Sequence, residues 1–135
     1  MRIILCAMVM AFATLPLRAQ TAPEMAIRDI ISQQLEALQR DDFETAFDFA
    51  SPLIQQLFQT PERFGDMVSG GYPMVHRPDN YRFDALRDVA GGLWQSLIMY
   101  DSNGRGFLVE YQMIETEAGW RINGVQVSPL PDAQV

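Results

Sequence analysis

The residue types that could support acid–base or ligand-orienting chemistry are few in this 135-residue chain. His76 is the single histidine and could exchange a proton near neutral pH. Tyr72 and Tyr111 carry hydroxyl groups that can orient a small ligand inside a cavity. We predict Tyr72, His76 and Tyr111 as ligand-binding residues. We assign no catalytic residue, because a lone loop histidine without an identifiable orienting partner is a common surface feature.

The sequence gives no support for a thiol site in the mature domain, a lysine Schiff base or a metal site. The only cysteine is Cys6, and every basic residue is arginine, so a lysine Schiff base is excluded. Asp101, Asn103 and Gly106 superficially resemble the start of a calcium loop, but Arg105 stands where an oxygen ligand is needed. The sequence therefore predicts no metal site and no cofactor.

The N-terminal segment has the layout of a cleavable secretory signal. An apolar run over 3–12 follows a basic residue and is shorter than the ~20 residues that cross a bilayer. We expect cleavage between Ala19 and Gln20, which gives a signal peptide over 1–19 and one mature domain over 20–135. The protein is thus expected to be exported, to the periplasm or outside the cell, without a transmembrane anchor.

The charge balance limits the classes of partner. The chain carries a net charge of −7, and without its first 19 residues it holds 8 basic against 17 acidic residues, a charge of −9. Nucleic acid and anionic membrane surfaces are poor partners for such a domain. We expect no nucleic-acid binding.

The first half of the mature sequence is helical in pattern. Apolar residues recur at spacings of three and four over 23–39, which predicts an amphipathic helix. Asp42, Ser51 and Thr60 can each cap a further short helix, and proline follows the last two of these. The glycine pair at 70–71 ends the last helix.

The second half alternates in hydropathy and predicts strands. The Asn103-Gly104 pair marks a tight hairpin. A change of parity at Asn123-Gly124 predicts a β-bulge. The predicted strands lie near 81–85, 93–100, 107–113 and 120–127. The ordered core thus covers about 23–128 and is of the α+β class, with several N-terminal helices packed on a mainly antiparallel sheet of about four strands.

One set of motifs resembles a known family. The motifs are Gln34-Leu35-x-Ala37-Leu38, Asp41-Asp42-x-x-x-Ala46-Phe47, Ala50-Ser51-Pro52-x-Ile54-Gln55, Pro61-x-x-Phe64-x-x-Met67-Val68, Gly71-Tyr72-Pro73 and Trp120-x-Ile122-x-Gly124-Val125. In them the chain resembles the exported bacterial proteins of the domain-of-unknown-function 4864 family. Its order of elements is similar to that of the cone-shaped nuclear-transport-factor-2-like superfamily. That likeness implies a curved sheet whose concave side is closed by helices, but fold alone does not choose a function.

The alternating strands leave apolar residues on both sheet faces, whereas helices can cover only one face in a domain of this size. We therefore predict that Trp94, Ile98, Leu108 and Ile114 contribute to an interface with a second copy or with another envelope protein. A register slip by one residue would exchange the two faces.

Two hypotheses for function remain open. The first is an exported, non-enzymatic envelope module that binds a small apolar ligand or a protein partner. The alternative is a small cone-fold isomerase, dehydratase or lyase that uses Tyr111 or His76. An apolar cavity without a carboxylate favours the first, and a buried carboxylate within hydrogen-bond reach of Tyr111 or His76 favours the second.

Overall fold

The helices begin where the sequence provides side-chain caps. In the computed structural model, which describes residues 21–131, Thr21, Asp42, Ser51 and Thr60 each accept a backbone N–H three residues further on, at 3.2–3.3 Å. The predicted signal peptide and its cleavage site between Ala19 and Gln20 lie outside the described residues. The helices are α1 (Ala22–Gln39), α2 (Phe43–Asp48), α3 (Pro52–Phe58), α4 (Pro61–Gly71) and α5 (Pro73–His76).

The one-turn helix α5 is absent from the sequence-based prediction, which treats His76 as a loop residue. Pro73 occupies the first turn of α5, where its fixed φ favours helix and its missing N–H costs nothing. His76 therefore lies at the end of a helical turn rather than in an open loop.

The junction between α1 and α2 is a Schellman motif. The N–H of Asp42 bonds to the carbonyl of Ala37 at 2.9 Å, and the N–H of Asp41 bonds to the carbonyl of Leu38 at 3.0 Å. Asp41 takes a φ of 57° at the position that glycine usually fills. Asp and Asn tolerate this left-handed conformation better than most side chains do.

The sheet is a simple antiparallel meander. Its strands are β1 (Asn80–Val89), β2 (Gly92–Tyr100), β3 (Gly106–Thr116) and β4 (Gly119–Pro129), and they lie side by side in chain order. Over residues 21–131, five helices followed by four antiparallel strands confirm the predicted α+β class.

The tight hairpin lies elsewhere than predicted. Ala90 and Gly91, both at positive φ, form the two-residue turn between β1 and β2. The predicted Asn103-Gly104 turn lies in a longer loop, because the Asp101 carboxylate accepts the backbone N–H groups of Asn103 and Arg105 at 2.9 Å. Only Gly104 in that loop has a positive φ, of 78°.

The predicted bulge in β4 is present. Gln112 pairs with Gly124 and Met113 pairs with Ile122, which leaves Asn123 without a partner in the ladder. The freed Asn123 side chain accepts a hydrogen bond from Ser51 Oγ at 2.8 Å and donates one to Gln112 Oε1 at 3.3 Å. The bulge therefore ties the start of α3 to the sheet.

The hydrophobic core lies between α1 and the helix-covered side of the sheet, which we call the inner face. Tyr111 and the residues beside it on β2 and β3 pack there against one side of α1. The buried side chains of this layer include Ile27, Ile31, Leu35, Leu38, Leu97, Met99, Val109, Tyr111 and Met113. We call the opposite side of the sheet the outer face.

None of the helices between residues 21 and 131 is both long enough and apolar enough to cross a bilayer.

Candidate functional site

An apolar cavity of about 250 Å³ opens between α3, α4 and β4, at one end of the helical layer. Among the residues that the structure describes, no acidic, basic or histidine side chain lines it. Its walls are formed by Gln34, Leu38, Ala50, Ile54, Leu57, Phe58, Phe64, Met67, Val68, Tyr72, Val75, Ile122, Gly124 and Val125. A largely apolar concavity with a few polar groups is the usual form of a small-molecule site.

Helix α3 forms the wall of the cavity at its mouth. Ile54 and Phe58 line the interior, whereas Leu57 both lines the cavity and is 69 % exposed. Leu53, one turn earlier, is 60 % exposed. The segment 51–60 contains no charged residue, although a fifth of the chain is charged. The α3 wall of the cavity is therefore uncharged and carries the exposed side chain of Leu57.

The two ends of α3 are held differently. At its start, Ser51 donates its backbone N–H to the Ile122 carbonyl at 2.8 Å, beside the Asn123 contact. At its end, Gln59 takes φ 70° and ψ −41°, and the N–H of Thr60 bonds to the carbonyl of Phe58 at 2.9 Å. This geometry is the strained form of the γ-turn. Of the two ends of α3, the strained backbone is therefore at Gln59, where α3 joins α4.

Two polar side chains interrupt the apolar lining. Gln34 is buried in α1, and its Nε2 donates to the carbonyl of Ala46 at 3.1 Å. Its Oε1 accepts no hydrogen bond from the described residues. Tyr72, at the junction of α4 and α5, contributes a partly exposed phenol. The part of the cavity wall that the structure describes thus offers only uncharged hydrogen-bonding groups.

The structure separates the three side chains predicted to bind a ligand. Tyr72 lines the cavity, whereas His76 and Tyr111 are not part of its wall. Gln34 and the α3 residues were missed, because a buried glutamine and a short apolar helix carry no sequence signal that distinguishes them from ordinary core.

His76 has an orienting partner that the sequence did not reveal. Its Nε2 lies 2.7 Å from Asp41 Oδ1, and Arg77 Nη2 donates to Asp41 Oδ2 at 2.6 Å. The hydrogen bond from His76 holds the pKa of Asp41 below its usual range, and Arg77 adds to this effect. The Asp41 side chain is 49 % exposed, so this is a carboxylate at the surface and not a buried acid.

We expect the Asp41 carboxylate to stabilise the fold only where it is ionised. Because its pKa is lowered on folding, the contribution should be complete above about pH 3.8 and should disappear as the pH falls through the lower folded-state value. Asp41→Asn, which keeps a side chain that tolerates positive φ, should therefore be less stable than wild type near neutral pH and approach it in acid. Urea unfolding across this range measures the effect.

Asp66→Asn, at an exposed position on α4, is the matched control and should follow wild type at every pH. A stability difference for Asp41→Asn that stayed constant down to pH 2–3 would contradict the assignment.

Tyr111 lies inside the core. It is completely buried, burial raises the pKa of its hydroxyl above the ordinary value, and that hydroxyl has no hydrogen-bond partner among the described residues. Gln95 pairs with Tyr111 across β2 and β3, and its buried Oε1 also has no hydrogen-bond partner among the described residues. Glu110 lies on the outer face, where it binds Arg87 at 3.1 Å. Tyr111 therefore has no carboxylate partner within residues 21–131.

The four residues predicted to form an interface all lie on the outer face. Ile98 pairs directly with Leu108 across β2 and β3, and Trp94 and Ile114 follow the same parity. Ile98 is 7 % exposed, and the other three are partly exposed. Ile98 also lies outside the main core cluster, so it packs among outer-face neighbours.

Comparison with known proteins gives a fold and a family. The structure is similar to the crystal structure, at 1.75 Å resolution, of an NTF2-like protein of unknown function from Shewanella baltica OS155. The TM-score is 0.53 and the identity 13 %, over 84 % of this chain and 100 % of that chain. At this identity the likeness shows the fold alone, and it confirms the predicted cone-like class. No curated protein matches the chain. The family described as domain of unknown function (DUF4864) matches residues 20–135, and the chain belongs to that family, as its motifs indicated.

Proposed function

We propose that this protein is an exported binding module that holds a small apolar molecule in the cavity between α3, α4 and β4. The observation that carries the proposal is a cavity of about 250 Å³ with an apolar lining that includes no charged side chain from residues 21–131, and at which Leu57 is exposed. A cavity of this size and lining favours an apolar guest, since each buried CH₂ contributes about 0.8 kcal/mol.

The enzymatic alternative has less support from the geometry. The Asp41–His76 pair lies outside the cavity, and its carboxylate is exposed. Tyr111 has no acidic partner among the described residues. An isomerase or lyase would need an acid–base group in contact with its substrate, and the lining of this cavity provides none.

Filling the cavity tests the proposal. In Val125→Phe, a phenyl ring on β4 should occupy part of the cavity, so binding of 1-octanol should weaken by about tenfold or more while the domain stays folded. Nuclear magnetic resonance titration of the labelled protein reports both the affinity and which residues shift. The same substitution at the exposed Val89 on β1 is the control and should leave binding unchanged.

Two outcomes would oppose the proposal. Wild-type protein that shows no shifts around the cavity at any 1-octanol concentration would remove its basis. Equal binding by Val125→Phe and wild type would place the ligand elsewhere. Native mass spectrometry of protein purified from its own compartment would identify what it carries.

Export to the periplasm or beyond the cell is part of the same proposal. It is supported by the signal-like pattern over 1–19 and by a family match that begins at residue 20. Intact mass of the exported protein should correspond to a chain that starts at or near Gln20.

We also propose that the outer face pairs with a second copy of the chain. Trp94, Leu108 and Ile114 are partly exposed apolar residues on the outer face, where Glu110 and Gln112 lie between Leu108 and Ile114 along β3. Arg82, Arg87, Arg121 and Glu110 share this face. Both signs of charge are present, so a two-fold arrangement can place the Arg87–Glu110 pair of one copy near the same pair of the other.

Light scattering tests the association. Wild type should have the mass of a dimer, and the double variant Leu108→Lys with Ile114→Lys should be a folded monomer, because lysine would be buried unpaired in the interface. Met25→Lys, at an exposed position on α1, is the control and should remain dimeric. A wild-type monomer at all concentrations tested would contradict this proposal.

A further inference from the structure

We infer that the ligand of the cavity is a neutral, hydroxyl-bearing apolar molecule of roughly ten non-hydrogen atoms, and that Gln34 accepts its hydroxyl hydrogen. The inference depends on the proposed function, because it names the chemical class that the same cavity takes.

The size of the ligand is inferred from the volume of the cavity. A cavity of about 150 Å³ in another protein holds benzene, so each non-hydrogen atom takes roughly 25 Å³. The 250 Å³ cavity then holds about ten such atoms. A longer ligand would have to emerge past Leu57, which is exposed at the mouth.

That the ligand is uncharged is inferred from the residues that line the cavity. Within residues 21–131, no arginine or histidine lines the cavity to pair with a carboxylate, and no acid lines it to pair with an amine. An ionised group taken into such a site loses its hydration without compensation, which costs several kcal/mol. A fatty acid anion and an alkylamine are therefore both disfavoured, although each has an apolar chain of suitable size.

The hydroxyl group expected on the ligand is inferred from the hydrogen bonding of Gln34. Its Nε2 is already used by the Ala46 carbonyl, whereas its Oε1 accepts nothing from the described residues. A glutamine that lines an apolar cavity, and whose Oε1 accepts no hydrogen bond from residues 21–131, selects a ligand that donates a hydrogen bond. The phenol of Tyr72, which lines the same cavity, can accept or donate a second one. A hydroxyl is the uncharged group that supplies the donor.

The experiment compares three probes of matched chain length. 1-Octanol and methyl heptyl ether are isomers, but only the alcohol donates a hydrogen bond, and octanoate carries a charge near neutral pH. We expect 1-octanol to bind about 3- to 10-fold more tightly than the ether. We expect octanoate to bind at least about tenfold more weakly than the alcohol.

A pair of variants locates the acceptor. Gln34→Met keeps an unbranched side chain but removes the oxygen, so the preference for alcohol over ether should disappear while the affinity for the ether remains. Gln33→Met, at the adjacent exposed position of α1, should keep the full preference. Because Gln34→Met also loses the hydrogen bond to Ala46, its melting temperature is measured in parallel. If that variant does not fold, the relative affinities of the three probes for the wild-type protein decide whether the ligand class is correct.

The outcomes separate the two proposals. If the ether or octanoate binds wild type as tightly as 1-octanol does, the inference about ligand class is overturned while cavity binding stands. Retention of the alcohol preference in Gln34→Met would overturn the role of Gln34. If none of the three probes binds, the proposed function itself fails.

Discussion

Replacing Tyr111 with alanine should lower the free energy of unfolding by about 3–5 kcal/mol, the range found for buried aromatic residues truncated to alanine. The side chain is fully buried at the centre of the inner face, among Leu97, Val109 and Met113 and against α1. Truncation would remove this packing and leave a void that the close-packed layer cannot fill. Urea unfolding monitored by circular dichroism measures the loss.

The matched variant Tyr111→Phe separates packing from the hydroxyl. Because that hydroxyl has no partner among residues 21–131, its removal should leave stability unchanged or raise it by up to about 1 kcal/mol. A loss of more than about 1 kcal/mol in Tyr111→Phe would mean that the hydroxyl makes a stabilising bond.

The same variant bears on function. If Tyr111 served an isomerase or lyase, phenylalanine would remove its donor, whereas a module that binds its ligand between α3 and β4 should keep full affinity. We expect Tyr111→Phe to bind 1-octanol as wild type does, because Tyr111 is not part of the cavity wall.

The features that could be predicted from sequence are those with local causes. Ser51 and Thr60 were identified as helix caps because a hydroxyl followed by proline acts within one turn. The bulge at Asn123-Gly124 was identified because it shifts the alternation of apolar residues within one strand. Each of these signals lies within a few residues of the structure that it specifies.

The features that could not be predicted join distant parts of the chain. Asp41 and His76 are 35 residues apart, and no local pattern indicates that the α1–α2 junction lies beside α5. In the sequence Gln34 is an ordinary helix position, whereas the structure places Ala46 beside it and the middle of β4 across the same cavity. The cavity arises from how α3 and α4 sit on β4, so its residues share no spacing in the sequence.

Gly65 is the clearest case of a contact that only the tertiary structure reveals. It is a buried residue in the middle of α4, where glycine lowers helix propensity by about 1 kcal/mol relative to alanine. A Cβ placed there would lie 2.5 Å from Cγ of the Phe43 ring and 2.6 Å from its Cδ2. The absent side chain thus lets α2 pack its aromatic residue directly on the backbone of α4.

We therefore expect Gly65→Val to lower the free energy of unfolding by about 1–3 kcal/mol, since the Phe43 ring must move out of its position. Gly70→Val, in the same helix but with open space around the added carbon, is the control and should change stability by no more than about 0.5 kcal/mol. Both are measured by urea unfolding, together with each glycine variant in a Phe43→Ala background. If the clash is the cause, Gly65→Val should cost less once the ring is removed, and the two substitutions should be strongly non-additive. Equal losses for Gly65→Val with and without Phe43 would instead show that the valine acts on α4 itself and that the two helices do not depend on this contact.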